Sequence, residues 1–509
     1  MIDLFQVKTI SFRRVIMLQI IAKKQFLYAF ALVTASILCG VLVVGGVTSF
    51  FEAIAGEETN FNSESFNGVS SIRILSTFSY ISLCACYFLW LFRSQSISNE
   101  LKFKQIIKPA IPFLLLALIA YPLSNDIYLY LQYGLMNLRG VNPFIIPASH
   151  VSSVLMPLLY WLQTSTYGPI SQLFFMGSAV FIRVNPILGV YVFKLFCLFI
   201  YIFNAYLIWR LLKNSLNRNK LTIAYLLNPF LLIAHVADAH VDVFLCCSVI
   251  ILIGCLYHRL YVAAILAIAA GVLTKTLPII WLPLVVGFLI SRRLWKTFAI
   301  AAGAIAVLIL VLSQTIFPTV AAWKSLLNPG VSGLTARSIH HLINLGLSFF
   351  TRSTFIENQP TIQQLSRITI LGFAIFYCWK LLQPYLKRKY SEVNLVNDLG
   401  WVTISLLLGA TPWLMSWYPS VLLPFAVLMR NAPIFSIASL TFCLTSGALI
   451  GAGSGNTPLS LVGCLLTLGP VFAVLIWRRQ VLQKFHGLAQ DRNFIISEPV
   501  ASMDIVRST

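Results

Sequence analysis

The run LYAFALVTASILCGVLVVGGVTSF, residues 27–50, carries no charged side chain. It is long enough to cross a bilayer, which takes about 20 apolar residues. No small-residue cleavage site marks it as a leader, so it reads as a retained helix. Similar runs recur along the chain. Of 509 residues, 59% are hydrophobic and 10% charged, and the mean hydropathy is +0.86. These values exclude a soluble domain and point to an all-α polytopic membrane protein. A transmembrane barrel would need alternating apolar and polar residues.

The formal net charge of +21 does not imply nucleic acid. The basic residues are spread over short loops between apolar runs, as the positive-inside rule requires. Lys8, Arg13, Arg14, Lys23 and Lys24 place a basic N-terminal segment, 1–26, in the cytoplasm. Glu52, Glu57, Glu58 and Glu64 follow the first span and suit the outside. Arg93, Lys102, Lys104 and Lys108 mark the inside again.

Alternation then predicts spans near 27–50, 73–94, 106–123, 187–209, 221–236, 243–258, 261–275, 278–290, 297–317, 364–384, 397–413, 417–430, 433–452 and 459–477. That is about 14 transmembrane helices in one domain, 27–477, with a cytoplasmic tail, 478–509. Outer loops are expected at 124–186 and 318–362. Within the first, the apolar pieces 151–163 and 170–182 are too short to span. They are expected to be interfacial helices; a crossing there would put Arg210, Lys213, Arg218 and Lys220 outside.

The ten cysteines lie mostly inside apolar runs and form no Cys-x-x-Cys pair. They read as packing residues, with neither a disulfide framework nor a thiolate metal site.

This sidedness gathers the unusual polar groups on one face. Ser124-Asn125-Asp126 follows an apolar segment ending at Tyr121-Pro122. Asp126 is either a helix cap or a site residue, and the two are compatible. Lys275 sits between apolar helices, where it either snorkels to the interface or pairs with a lipid-borne phosphate. Arg337, His340 and His341 would add donors to the same phosphate or form a solvated loop. His235, Asp238, His240 and Asp242 look like a metal cluster, but their compact spacing matches no strong motif. A hydrogen-bonded turn that orients substrate hydroxyls explains them as well. Trp413, Trp417 and Tyr418 belong to an aromatic belt or stack on a sugar.

The block Ser124-Asn125-Asp126-Ile127-Tyr128-x-Tyr130, then Tyr133-Gly134, then Gly140-Val141-Asn142-Pro143-Phe144, resembles the first outer loop of GT-C glycosyltransferases. It is most similar to bacterial polyprenyl-phosphate-mannose-dependent α-mannosyltransferases. Tyr167-Gly168-Pro169, Asn228-Pro229 with His240-Val241-Asp242, Lys275 with Pro278, and Trp417-Tyr418 resemble later family motifs in the same order. Asn125 stands where many relatives carry an acid, and Phe144 where tyrosine is usual.

The resemblance implies an inverting transfer of a sugar, mannose by family, from a polyprenyl-phosphate donor to a glycan or glycolipid acceptor. The reaction would run on the extracytoplasmic side of a bacterial-type plasma membrane, with lipid and no nucleic acid as partner. Asp126 matches the family's general base. Tyr128, Tyr130, Asn142, Tyr167, His240, Asp242, Lys275, Arg337, His340, Trp417 and Tyr418 are the expected substrate-binding residues. No metal ligand is assigned, although Asp242 leaves room for a divalent cation such as Mg or Mn. A lipid-linked saccharide flippase or transporter is the alternative, and a transferase using a diphosphate lipid donor a further one.

Overall fold

The computed structural model describes residues 2–55, 70–93, 101–159, 162–327, 334–448 and 458–484, with side chains from residue 25 onward except at 70–73, 93, 458–459 and 484. Glu57, Glu58, Glu64, Asn328-Pro329-Gly330, the end of the 433–452 span and the polar tail lie outside the described residues, as do the side chains of the basic N-terminal segment. The chain is an all-α polytopic membrane protein, with no strand among the described residues.

Helices α1 (Ile2–Ile54), α2 (Ser70–Arg93), α3 (Phe103–Ile107) and α4 (Ile111–Ile119) lead to α5 (Asp126–Leu138). Then come α6 (Pro169–Ala179), α7 (Pro186–Leu211), α8 (Arg218–Leu226), α9 (Pro229–Leu231) and α10 (Asp242–Tyr257). The middle of the chain forms α11 (Tyr261–Val272), α12 (Leu282–Ser291), α13 (Trp295–Thr315), α14 (Val320–Ser325) and α15 (Ile339–Thr351). The last group is α16 (Gln359–Leu386), α17 (Glu392–Ser405), α18 (Leu422–Leu428), α19 (Pro433–Ser446), α20 (Pro458–Ile476) and α21 (Arg478–Lys484).

Each of the expected spans has a helical counterpart, but few have a full span's length. Six helices are long and apolar enough to cross a membrane, and seven if the bent pair Arg218–Leu226 and Pro229–Ala237 counts as one, among the described residues. Of the two expected interfacial pieces, 170–182 is helical, as α6 and a 3-10 turn Val180–Arg183. The piece 151–163 is not a helix: its described part is irregular, with a single 3-10 turn at Met156–Leu158. Pro157 follows a Val-Ser-Ser-Val start that favours turns over helix.

Local sequence sets the helix starts around the site. Asn185 and Asn228 each accept a backbone N–H of the helix they precede, from Ile187 at 2.8 Å and Leu231 at 3.2 Å. Each is followed by proline at the first helical position, where the missing N–H costs nothing. The run from Pro229 then widens into a π-helical turn, Leu232–Ala237, and α17 does the same at Leu406–Ala410. The first feeds directly into the turn described below, and such insertions recur at functional sites.

Two glycines fix how the elements meet. A Cβ on Gly134 of α5 would lie 2.3 Å from the Phe175 carbonyl oxygen of α6. A Cβ on Gly168 would lie 2.2 Å from the Leu273 carbonyl oxygen. That second approach lets the Gly168 and Ile170 N–H groups donate to Thr274 and Leu273 and pairs Tyr167 with Lys275 in an antiparallel bridge. Sequence positions a hundred residues apart are thereby joined at one end of the bundle.

Candidate functional site

Asp126 is the first residue of α5, so its carboxylate projects from a helix N-terminus, where backbone N–H groups favour negative charge. Its Oδ2 lies 3.5 Å from the Tyr130 hydroxyl and 3.7 Å from His240 Nδ1. Both contacts are long, so no strong hydrogen bond quenches the carboxylate among the described residues.

A turn from the π segment faces it. Ala239, at φ 52°, adopts the left-handed conformation between Asp238 and His240. For a non-glycine residue this costs about 1–3 kcal/mol. The turn sends its side chains in different directions. Asp238 Oδ1 accepts the Leu123 N–H at 3.0 Å, beside the strand of chain that enters α5. His240 points at Asp126 and Tyr130, and its ring stacks on Trp417 at 3.7 Å and 18°. Asp242 opens α10 and takes Lys275 Nζ on both oxygens at 3.0 Å.

Lys275 also lies 4.4 Å over the Tyr418 ring. Tyr130 stacks on Phe175 and meets Tyr167 edge-on, both at 4.9 Å between centroids. Asp126, His240, Asp242, Lys275, Tyr130, Tyr167, Trp417 and Tyr418 are thus one constellation drawn from five parts of the chain.

The two acids differ in what they can do. The Asp242 side chain is 3% exposed and saturated by Lys275, whereas Asp126 keeps 16% of its side chain accessible. Burial pushes the Asp126 carboxyl up to about 6. Asp242 and Asp238 push the same way, while Lys275 and Tyr130 oppose them. Burial, helped by the Lys275 charge, holds the His240 imidazole well below its ordinary range, so it is neutral. Asp126 is therefore the accessible, loosely held carboxylate with a proton affinity near neutrality, the condition a general base needs.

The match to the family described as MptA_B family, alpha-(1->6)-mannopyranosyltransferase, N-terminal domain, covers residues 27–292, more than half of the chain. The chain belongs to this mannosyltransferase family. No curated protein matches it. In this GT-C mannosyltransferase the matched region carries Asp126, Tyr130, Tyr167, His240, Asp242 and Lys275, and the aromatic cover from Trp417 and Tyr418 lies beyond it.

Other expected site residues of the mannosyltransferase are engaged elsewhere. Tyr128 is buried and donates to the Tyr121 hydroxyl at 3.3 Å, inside the core beside Phe50. Asn142 is an anchor: it donates to the Ile316 carbonyl at 2.7 Å and accepts the Phe144 N–H at 2.9 Å. Phe144 packs on Phe317, so the position usual for tyrosine is apolar here because its surroundings are. Arg337 donates to the Ser446 carbonyl, and His340 pairs with Thr369 on α16 at 2.8 Å. Burial lowers the His340 and His341 imidazoles, the latter to about 4, so neither is a cation at neutral pH.

No three His, Cys, Asp or Glu side chains converge among the described residues, and Lys275 occupies both Asp242 oxygens.

Sequence reasoning missed Lys194. It is fully buried in α7 and donates to the carbonyls of Ala117, at 3.3 Å, and Ala120. A lysine in the middle of the apolar run Pro186–Leu211 was the signal for it.

Proposed function

We propose that this mannosyltransferase moves mannose from a polyprenyl-phosphate donor to a hydroxyl of a glycan or glycolipid, with inversion, using Asp126 as general base. The observation that carries the reading is the contrast between the two acids. Asp242 is locked to Lys275, and Asp126 is accessible, weakly held and close to neutral in proton affinity.

In the proposed step the acceptor hydroxyl approaches Asp126 Oδ2. Its oxygen forms the new bond to the anomeric carbon as the bond to the donor phosphate breaks. The hydroxyl proton passes to Asp126, and the phosphate leaves with the bonding pair. An oxocarbenium-like transition state needs positive charge near that leaving oxygen. Lys275 supplies it, since an ammonium has three N–H donors and Asp242 does not exhaust them. Neutral His240, clamped by Trp417, presents a flat edge beside Asp126 and adds no charge that would quench the base.

The distribution of charge supports a sidedness. α10 starts at Asp242 in the site and ends at Tyr257, about 24 Å away. At that far end Arg430 lies over the Tyr257 ring, Arg259 meets Glu392 at 3.4 Å, and Arg292 donates to the Tyr390 carbonyl. Basic ends face the cytoplasm by the positive-inside rule, and this supports the reading that Asp126 works on the extracytoplasmic side.

The test is transfer from labelled polyprenyl-phosphate mannose to a mannoside acceptor by detergent-purified protein. Transfer is expected from the wild type and lost in Asp126→Asn, with donor binding retained. Near-wild-type transfer by Asp126→Asn sinks the base assignment, and transfer only from a nucleotide or diphosphate-lipid sugar sinks the donor.

A further inference from the structure

Between the end of α4 and the start of α5 the chain runs Ala120-Tyr121-Pro122-Leu123-Ser124-Asn125 into Asp126. Nothing helical holds it, so its position must come from side chains around it. The carbonyls of Ala117 and Ile119 at the C-terminus of α4, and of Ala120 just after it, have no partners within the helix. They receive Lys194 Nζ on Ala117 and Ala120, and the Tyr191 hydroxyl on Ile119 at 2.9 Å. Both donors come from one face of α7. A cation at a helix C-terminus is doubly favoured, by hydrogen bonding and by the helix dipole.

The other side of the same segment is held by Asp238, which accepts the Leu123 N–H at 3.0 Å and draws on the Ser124 backbone as well. Lys194 and Asp238 also attract one another across the segment. Lys194 is fully buried, where an isolated ammonium is costly. Holding the α4 carbonyls and compensating Asp238 explain its presence.

We propose that Lys194 and Asp238 are a positioning pair for the reaction. Lys194 fixes the end of α4, Asp238 fixes the entry to α5, and their opposite charges set the field in which the Asp126 carboxylate works. This rests on Asp126 being the base. Neither residue touches substrate; both act through the segment that carries it. The other groups facing Asp126 are Tyr130 and Tyr133 of α5, His240 and Asp242 from the turn and α10, Lys275, Tyr167 and Tyr418. Of these, Asp242 is already compensated by Lys275. Asp238 is the acid whose influence on Asp126 is governed by a group outside the site.

The experiment compares Lys194→Met, Asp238→Asn and the double variant with wild type, using Lys380→Met as control. Lys380 lies 2.6 Å from Asp398, a buried pair between α16 and α17. Lys194→Met is expected to lower kcat about 10- to 100-fold with KM little changed, the scale of a small misplacement of a reacting group. Asp238→Asn keeps an acceptor for the Leu123 N–H and removes the charge. Its acid limb is expected to move to lower pH by up to about one unit. Lys194→Met drives Asp238 towards its neutral form, so its limb moves the same way. The double variant moves no further than either single, because the two act on one field.

Hydrogen exchange on purified protein supplies a readout that needs no substrate. The 120–126 backbone exchanges faster in Lys194→Met and not in Lys380→Met. If wild type fails to use the polyprenyl donor, the proposed function falls, and exchange still judges the positioning pair. Unchanged exchange at 120–126 in Lys194→Met, or an unmoved acid limb in Asp238→Asn, overturns it.

Discussion

The ammonium of Lys275 sits 3.0 Å from both carboxylate oxygens of Asp242, and the Tyr418 ring lies 4.4 Å beneath it. A cation expected to be available for a phosphate is therefore already half of a buried ion pair. Removing one partner of such a pair leaves the other uncompensated. Lys275→Met should destabilise the protein by about 3–5 kcal/mol, because Asp242 would be left buried without its partner. Lys275→Met with Asp242→Leu should recover most of that loss in thermal unfolding and none of the transfer activity. Equal instability in the double variant would mean that the pair is not what the single variant breaks.

Asp126 couples activity and stability with opposite signs. Its carboxyl titrates near 6 in the folded protein, against 3.8 when unburied. Below that pH the base is protonated, so the acid limb of kcat/KM is expected near pH 6. For stability, the folded state binds the proton before the unfolded state does. The penalty for the buried charge is thus fully present above the folded value and fades as pH falls towards the unfolded one. Asp126→Asn should therefore be inactive yet more stable than wild type at pH 8, by up to about 3 kcal/mol. That advantage should shrink by pH 4. Thermal unfolding of both proteins across this range checks it.

The stack of His240 on Trp417 makes a graded prediction. Trp417→Phe keeps a flat partner for the imidazole and should retain most transfer. Trp417→Ala removes it and leaves a ring that has only long contacts to Asp126 and Tyr130. Aromatic pairs contribute about 0.5–1.5 kcal/mol beyond burial. The Ala variant should lose activity about tenfold or more through kcat, measured at saturating donor.

Gly168 and Gly177 separate close approach from mere flexibility. Gly168→Ala would push a methyl into the Leu273 carbonyl and open the Tyr167–Lys275 bridge. Gly177→Ala meets only the Phe196 ring, at an ordinary 3.4 Å. The first should sharply reduce both thermal stability and transfer, and the second should leave both within about 0.5 kcal/mol of wild type.

Much of this architecture is legible in the sequence, because apolar length and loop charge are one-dimensional signals. The pattern of apolar helices follows from them directly, whereas helix α5 falls inside a stretch read as an outer loop, where only the Ser124-Asn125-Asp126 capping chemistry hinted at a helix start. The grouping of Asp126 with Asp242, Lys275, Tyr167 and Trp417 follows from the motif resemblance. What is not legible is partner choice. Lys275 chose Asp242 over open space, and Tyr128 and Asn142 turned to the core and to Ile316, because single contacts depend on packing that no local pattern encodes. Arg337 and His340 lie in the outer loop expected at 318–362, and sidedness alone brings them to the face of the site. Their partners, Ser446 and Thr369, come from helices that the loop happens to cross. Lys194 was readable as an oddity in an apolar helix, but its target, the end of α4, was not.

The family match ends at residue 292, and the site does not. The carboxylate, the imidazole and the ammonium are all synthesised before that point, while the two rings that cover them, Trp417 and Tyr418, arrive more than a hundred residues later. A ribosome that has delivered only the matched region has inserted a half-built catalyst, with His240 lacking its Trp417 stack and Lys275 without the Tyr418 ring. The Trp417 stack on His240 and the Tyr418 ring at Lys275 complete the constellation only once the segment between α17 and α18 is in place.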